Sequence, residues 1–113
     1  LSSYRGLGLD DDQLYVATST GDVVALRRRD GGTVWQQQGL ARRALGVPAV
    51  HGGAVVVGDF DGYLHWLDPS NGRFVARKRL GGARISAAPI VVGDRLFVMD
   101  EDGRVAAFRA GGG

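Results

Sequence analysis

Three glycines, Gly21, Gly62 and Gly103, stand 41 residues apart in this 113-residue chain. Aligned on the glycine, "LYVATSTGDVVAL" (14–26), "VVVGDFDGYLHWL" (55–67) and "LFVMDEDGRVAAF" (96–108) share an apolar run, a turn and a second apolar run. A period of about 40 residues made of short strands marks the blades of a β-propeller, in which each unit buries its faces only by stacking on its neighbours. The fold class expected is therefore all-β: a partial propeller of antiparallel, four-stranded blades. No helical period persists along the chain. The nearest candidate, "QQQGLARRALG" at 36–46, is broken by Gly39 and reads as a loop between blades.

Polar turns at 27–32 ("RRRDGG") and 68–72 ("DPSNG") supply the Asp, Asn, Pro and Gly that tight turns require. They divide the chain into blades at about 7–39, 47–80 and 87–109, all within one propeller fragment spanning 1–113. The third blade is expected to have three strands, because nothing after Phe108 reads as a fourth. In an intact protein an N-terminal strand would close that blade and remove its edge. Neither an initiator methionine nor a signal peptide precedes Leu1, so the chain reads as a piece of something longer. Such a piece would leave two interblade faces bare and would be poorly soluble or self-associating.

Alternation along the second strand of each repeat assigns the faces. Val23 and Ala25, Leu64 and Trp66, and Val105 and Ala107 share one side; Val24 and Leu26, His65 and Leu67, and Ala106 and Phe108 share the other. Both sides are mainly apolar, as in a strand covered on both faces. Trp66, Leu67 and Phe108 are the expected interblade core, and His65, inside this run, reads as a packed or hydrogen-bonded histidine. His51 lies on another strand, and there is no cysteine to complete a metal site with either. The missing cysteines also exclude disulfides and thiolate catalysis.

Asp59-Phe60-Asp61-Gly62 resembles the centre of a calcium loop, but the fit fails on ligands. With Gly62 at the sixth position the first ligand would be Val57, which has no side-chain oxygen, and the twelfth would be Asp68 in place of a bidentate glutamate. The first repeat carries Thr18 and Thr20 where the second carries the two aspartates. Asp59, Asp61, Asp100 and Asp102 are accordingly expected to cap hairpins by local hydrogen bonds, with no metal bound. Ser2, Ser3, Ser19, Ser70 and Ser86 lack a nucleophile-elbow setting. The terminal "RAGGG" lacks the helix and Lys-Ser/Thr of a phosphate loop and reads as a frayed tail. No catalytic constellation emerges.

The net charge of +2 is too mild to point to nucleic acid, although thirteen of the fourteen basic residues are arginine. Arg27-Arg28-Arg29, Arg42-Arg43 and Arg77-Lys78-Arg79 lie in turns or at strand ends, where solvated charge is the ordinary state. A functional role for them would be contact with acidic partners or anionic head groups. No aromatic residues interleave with them in the sequence, which argues against single-stranded nucleic acid.

The segment "VVVGDFDGYLHWLDPSNGRFVA", with "DGGTVW" before it and "PIVVGDRLFVMDEDGRVAAF" after it, closely resembles the C-terminal blades of the BamB family, lipoprotein subunits of the bacterial outer-membrane β-barrel assembly machinery. The resemblance runs from about Leu7 to Phe108. It implies an eight-bladed propeller in the periplasm, tethered to the outer membrane by an N-terminal lipid. Such a propeller would bind the POTRA domains of BamA, assist insertion of β-barrel proteins and need no cofactor. The BamA-binding loops that the family implies lie mainly in earlier blades, so no partner-binding residue is assigned here. The repeat is also similar to that of quinoprotein dehydrogenases, propellers that bind pyrroloquinoline quinone and calcium. Their tryptophan-docking pattern is matched loosely: Ala25 to Trp35 has Arg27 where an aspartate belongs, and Trp66 to Val75 lacks the closing tryptophan. A WD40-type scaffold is disfavoured because no Gly-His and Trp-Asp pair brackets the repeat.

Overall fold

The computed structural model describes residues 4–18, 20–40, 44–85 and 87–109. Ser2, Ser3, Ser19, Ser86, the Arg42-Arg43 pair and the residues after Arg109 lie outside them. The described residues form eleven strands and no helix. Strands β1 (Tyr4–Leu9), β2 (Gln13–Thr18), β3 (Val23–Arg27) and β4 (Thr33–Gln37) make one antiparallel sheet in sequence order. The second is made of β5 (Ala49–His51), β6 (Ala54–Gly58), β7 (Tyr63–Leu67) and β8 (Phe74–Arg79), and the third of β9 (Ile90–Val92), β10 (Arg95–Met99) and β11 (Val105–Arg109).

The repeat glycines share one hairpin geometry. In each turn the residue three before the glycine donates its N–H to the carbonyl one beyond the glycine and accepts the glycine's own N–H. The pairs are Thr18/Asp22 with Gly21, Asp59/Tyr63 with Gly62, and Asp100/Arg104 with Gly103. The glycines take φ of 92°, 85° and 87°. This is a type I turn closed by a left-handed residue, a conformation that costs any residue with a Cβ.

Two apolar seams join the sheets. Tyr15, Ala17, Val23, Ala25 and Trp35 of the first sheet meet Val55, Val57 and Leu67 of the second. Val56, Leu64 and Trp66 on the opposite side of the second sheet meet Leu96 and Val98 of the third, with Ile85 of the connecting segment wedged among them. Strand β7 is therefore covered on both faces, since Leu64, His65, Trp66 and Leu67 are all buried. Strand β11 departs from the two-sided burial read from its sequence. Its Val105 is 64% exposed, as are Met99 (58%) and Val92 (61%) on neighbouring strands, because no further sheet among the described residues covers that side.

Connecting segments lie on the turns. Leu80 donates its N–H to the carbonyl of Gly62 and Ile85 donates to that of Asp59. A Cβ on Gly62 would come within 2.3 Å of the Gly81 carbonyl oxygen, whereas a Cβ on Gly103 would meet nothing within 4 Å. The two positions share a backbone conformation and differ only in what sits above them. Gly103→Ala should cost about 1–2 kcal/mol, the left-handed penalty alone, and Gly62→Ala distinctly more, measured by equilibrium urea unfolding. Equal losses would mean that the 80–85 segment is not seated on the turn.

Candidate functional site at the sheet seams

The seams hold most of the side chains that the sequence singled out. Adjacent on β7, Trp66 and Leu67 point opposite ways: Leu67 is fully buried in the first seam and Trp66 lies in the second. There the Trp66 ring meets Phe108 edge to face, with centroids 5.3 Å apart and planes at 75°. Phe108 is only partly buried, less than the repeat pattern alone suggests, although it lies on the covered side of β11.

Sequence reasoning missed the way Trp35 joins the first two sheets. Its indole N–H donates to the carbonyl of Pro69 at 2.7 Å, and its ring covers Gly72, where a Cβ would come within 2.4 Å. Gln37 donates to the Gly72 carbonyl and Gln13 to that of Pro69. Asp68 shapes this receiving turn by accepting from both the N–H and the hydroxyl of Ser70. Both bonds hold its carboxyl below the usual carboxylate range. Within the single stretch Ala25 to Trp35 the docking pattern lacks its aspartate, Arg27 standing in that place. In the fold the tryptophan and its receptor sit on different sheets, and the receptor's Asp68 and Gly72 are intact. The closing position expected at Val75 in the second repeat is corrected by one residue: the spacing from Ala25 to Trp35 runs from Trp66 to Ala76, 41 residues on. Ala25 pairs with Trp35 and Trp66 pairs with Ala76, because a bulge in each outer strand adds a residue. The missing tryptophan of the second sheet is thus at Ala76, not Val75. With alanine there, a cavity of about 340 Å³ opens between the second and third sheets beside His51, Trp66, Ala76 and Lys78.

The aspartates divide their labour. Asp59 Oδ1 accepts the N–H groups of Asp61 and Tyr63, and its Oδ2 lies 2.7 Å from His65 Nε2 in a fully buried pair. Asp100 Oδ1 likewise accepts from Asp102 and Arg104. Asp61 and Asp102 thus give backbone donors to these caps, and the capping carboxylates are those of Asp59 and Asp100. This corrects the expectation that all four side chains act alike. At the position of His65 the third repeat has Ala106, and Asp100 Oδ2 is buried with no hydrogen-bond partner, its nearest cation being Arg104 at 3.7 Å. Burial on its own would raise the Asp59 carboxyl, but the hydrogen bonds from His65, Tyr63 and Asp61 bring it below the ordinary value of 3.8. His51 spans the other seam end, its Nε2 lying 2.9 Å from the Asp94 carbonyl oxygen. The two histidines do not converge. Among the described residues no three His, Cys, Asp or Glu side chains are grouped to hold a metal.

The first prediction from this geometry concerns the aromatic contact: Trp66→Ala should cost about 3–5 kcal/mol. Phe108→Ala should cost roughly half as much, since only part of its area leaves water. A second concerns acid. A carboxyl whose folded pKa lies below its unfolded value stabilises the fold above that unfolded value, and the gain disappears as pH falls through the folded value. The stability gap between the parent and Asp59→Asn should therefore be widest near neutrality and shrink below about pH 4, as followed by urea melts across pH. A constant gap would show that the Asp59 charge is not linked to folding.

Known proteins are similar to this chain over most of its length. The family model described as "Outer membrane protein assembly factor BamB" matches residues 19–113. The protein of that name from Alkalilimnicola ehrlichii is 40% identical over 109 residues, which cover 96% of this chain and 28% of the relative. The chain thus spans little more than a quarter of that relative's length. The crystal structure of BamB from Moraxella catarrhalis superposes with a TM-score of 0.84 at 31% identity, covering 91% of this chain and 30% of that one. A quinohemoprotein alcohol dehydrogenase from Pseudomonas putida superposes at 0.79 with 24% identity over 97% of this chain and 20% of its own, a likeness of fold alone. The all-β sheets are those of a partial propeller, and with the family model matched across residues 19–113, this chain belongs to the BamB family of outer-membrane protein assembly factors.

Proposed function

We propose that this chain is part of a non-catalytic scaffold of the outer-membrane β-barrel assembly machinery. The full-length protein would sit on the periplasmic side of the outer membrane, held by an N-terminal lipid. It would bind the POTRA domains of BamA through loops at the propeller rim and so assist insertion of outer-membrane proteins. Family membership across nearly the whole chain is the observation that carries this reading.

The chemistry of the seams supports it. His65 is joined to Asp59, His51 to a backbone carbonyl, and the Trp35 indole to another carbonyl. The first of these pairs braces its own hairpin and the other two join neighbouring sheets, which suits a rigid support for binding loops better than a reaction centre, where a base must face its substrate. The tryptophan docking shared with quinoprotein dehydrogenases is explained as a joint between sheets and needs no quinone.

The test sets two properties of the full-length protein side by side. Immobilised BamA POTRA domains should retain it, and dye-linked alcohol or sugar oxidation with added quinone and calcium should stay at background. Quinone-dependent turnover without POTRA retention would overturn the scaffold.

A further inference from the structure

We propose that the outer edge of the second sheet is a docking strand for an acidic, extended polypeptide segment. Among the described residues strand β8 has no partner beyond it in the sheet, and all six of its residues, Phe74–Arg79, are exposed. An edge strand presents a row of backbone N–H and C=O groups that another extended segment can pair with.

The matching strand of the first sheet is also an edge among the described residues, but without charge to recognise an acidic segment. Strand β4 is uncharged; its Trp35 is docked on the Pro69–Gly72 turn, its Gln37 bonds the Gly72 carbonyl, and its Gln36 bonds Asp22. In β8 the residue equivalent to Trp35 is Ala76, and the strand carries Arg77, Lys78 and Arg79.

The cations are arranged rather than scattered. Arg77 and Arg79, two apart on the strand, share a face, and both guanidinium groups lie over the Tyr63 ring, 5.0 and 5.3 Å from its centroid. Arg79 is pinned further by donating its Nε–H to the Gly81 carbonyl. Stacking of this kind leaves guanidinium edges free to bond carboxylates in pairs. Among the described residues, none of the three cations has a carboxylate within 4 Å. Side chains two apart on an incoming strand would meet Arg77 and Arg79 in turn, so the segment that fits carries Asp or Glu at alternate positions. A second copy of β8 is disfavoured as occupant, because its own three cations would face these.

This edge does not depend on the assembly role, and its test is separate. Anisotropy of a labelled short peptide alternating glutamate with valine would be followed against the full-length protein. The glutamate peptide should bind, more weakly as salt rises. Its glutamine counterpart and an alternately N-methylated glutamate peptide should bind at least about tenfold more weakly, a difference of 1.4 kcal/mol. Arg77→Glu/Arg79→Glu should lose at least as much with an unchanged melting temperature, and Arg77→Lys/Arg79→Lys less. Hydrogen exchange of the unaltered protein should slow across β8 when peptide is added, a readout that needs no variant. Equal binding of the glutamine or N-methylated peptide, unaltered exchange at β8, or capture by phosphatidylglycerol vesicles but not by the glutamate peptide would each overturn the proposal.

Discussion

None of the three sheets could hold itself together alone, and the packing of one sheet face on the next is what the remaining structure depends on. A sheet of three or four short strands has two apolar faces and little interior, so its side chains leave water only when another sheet lies against them. Leu64, Trp66 and Val56 are buried because Leu96 and Val98 face them, and Val55, Val57 and Leu67 because Tyr15, Val23 and Ala25 do. The polar fittings follow from this. A tryptophan can be clamped by a carbonyl, and a histidine and an aspartate can be buried together, only where stacked sheets have already excluded water.

The seams differ in how they are fastened. Between the first and second sheets the apolar contact is supplemented by the Trp35 ring on Gly72 and by three side-chain hydrogen bonds into the Pro69–Gly72 turn. Between the second and third sheets there is an edge-to-face aromatic pair, a histidine bonded to a carbonyl and, where a second tryptophan would lie, a cavity. The same repeat thus makes a tight joint and a more open one: the positions of Trp35, Gln37 and Gln13 are held in the second repeat by Ala76, Lys78 and Ala54.

The Asp59–His65 pair shows how a repeat tolerates variation. Thr18, Asp59 and Asp100 occupy one position and all cap the hairpin through a side-chain oxygen. Only in the second repeat does a partner, His65, meet the remaining carboxylate oxygen. In the third, alanine fills that position, and the oxygen has no hydrogen-bond partner among the described residues, only the Arg104 cation 3.7 Å away. Local turn geometry needs one acceptor, and what lies beyond it is set by each seam.

From the residues alone, the propeller class, the glycine turns and the apolar seams were legible, because each rests on short-range rules: a glycine where φ is positive, a turn where Asp and Gly meet, alternation where a strand has two faces. Even the resemblance to BamB came from local strings such as "GYLHW". What only the tertiary structure decided are relations between residues far apart in sequence. Trp35 finds Gly72, His51 finds Asp94, and Arg77 and Arg79 gather on Tyr63. The bulges that set Trp35 opposite Ala25 and Ala76 opposite Trp66 are likewise visible only through cross-strand register. Burial of β11 was misjudged for the same reason, since an apolar strand specifies that it can be covered, and only its neighbours determine whether it is.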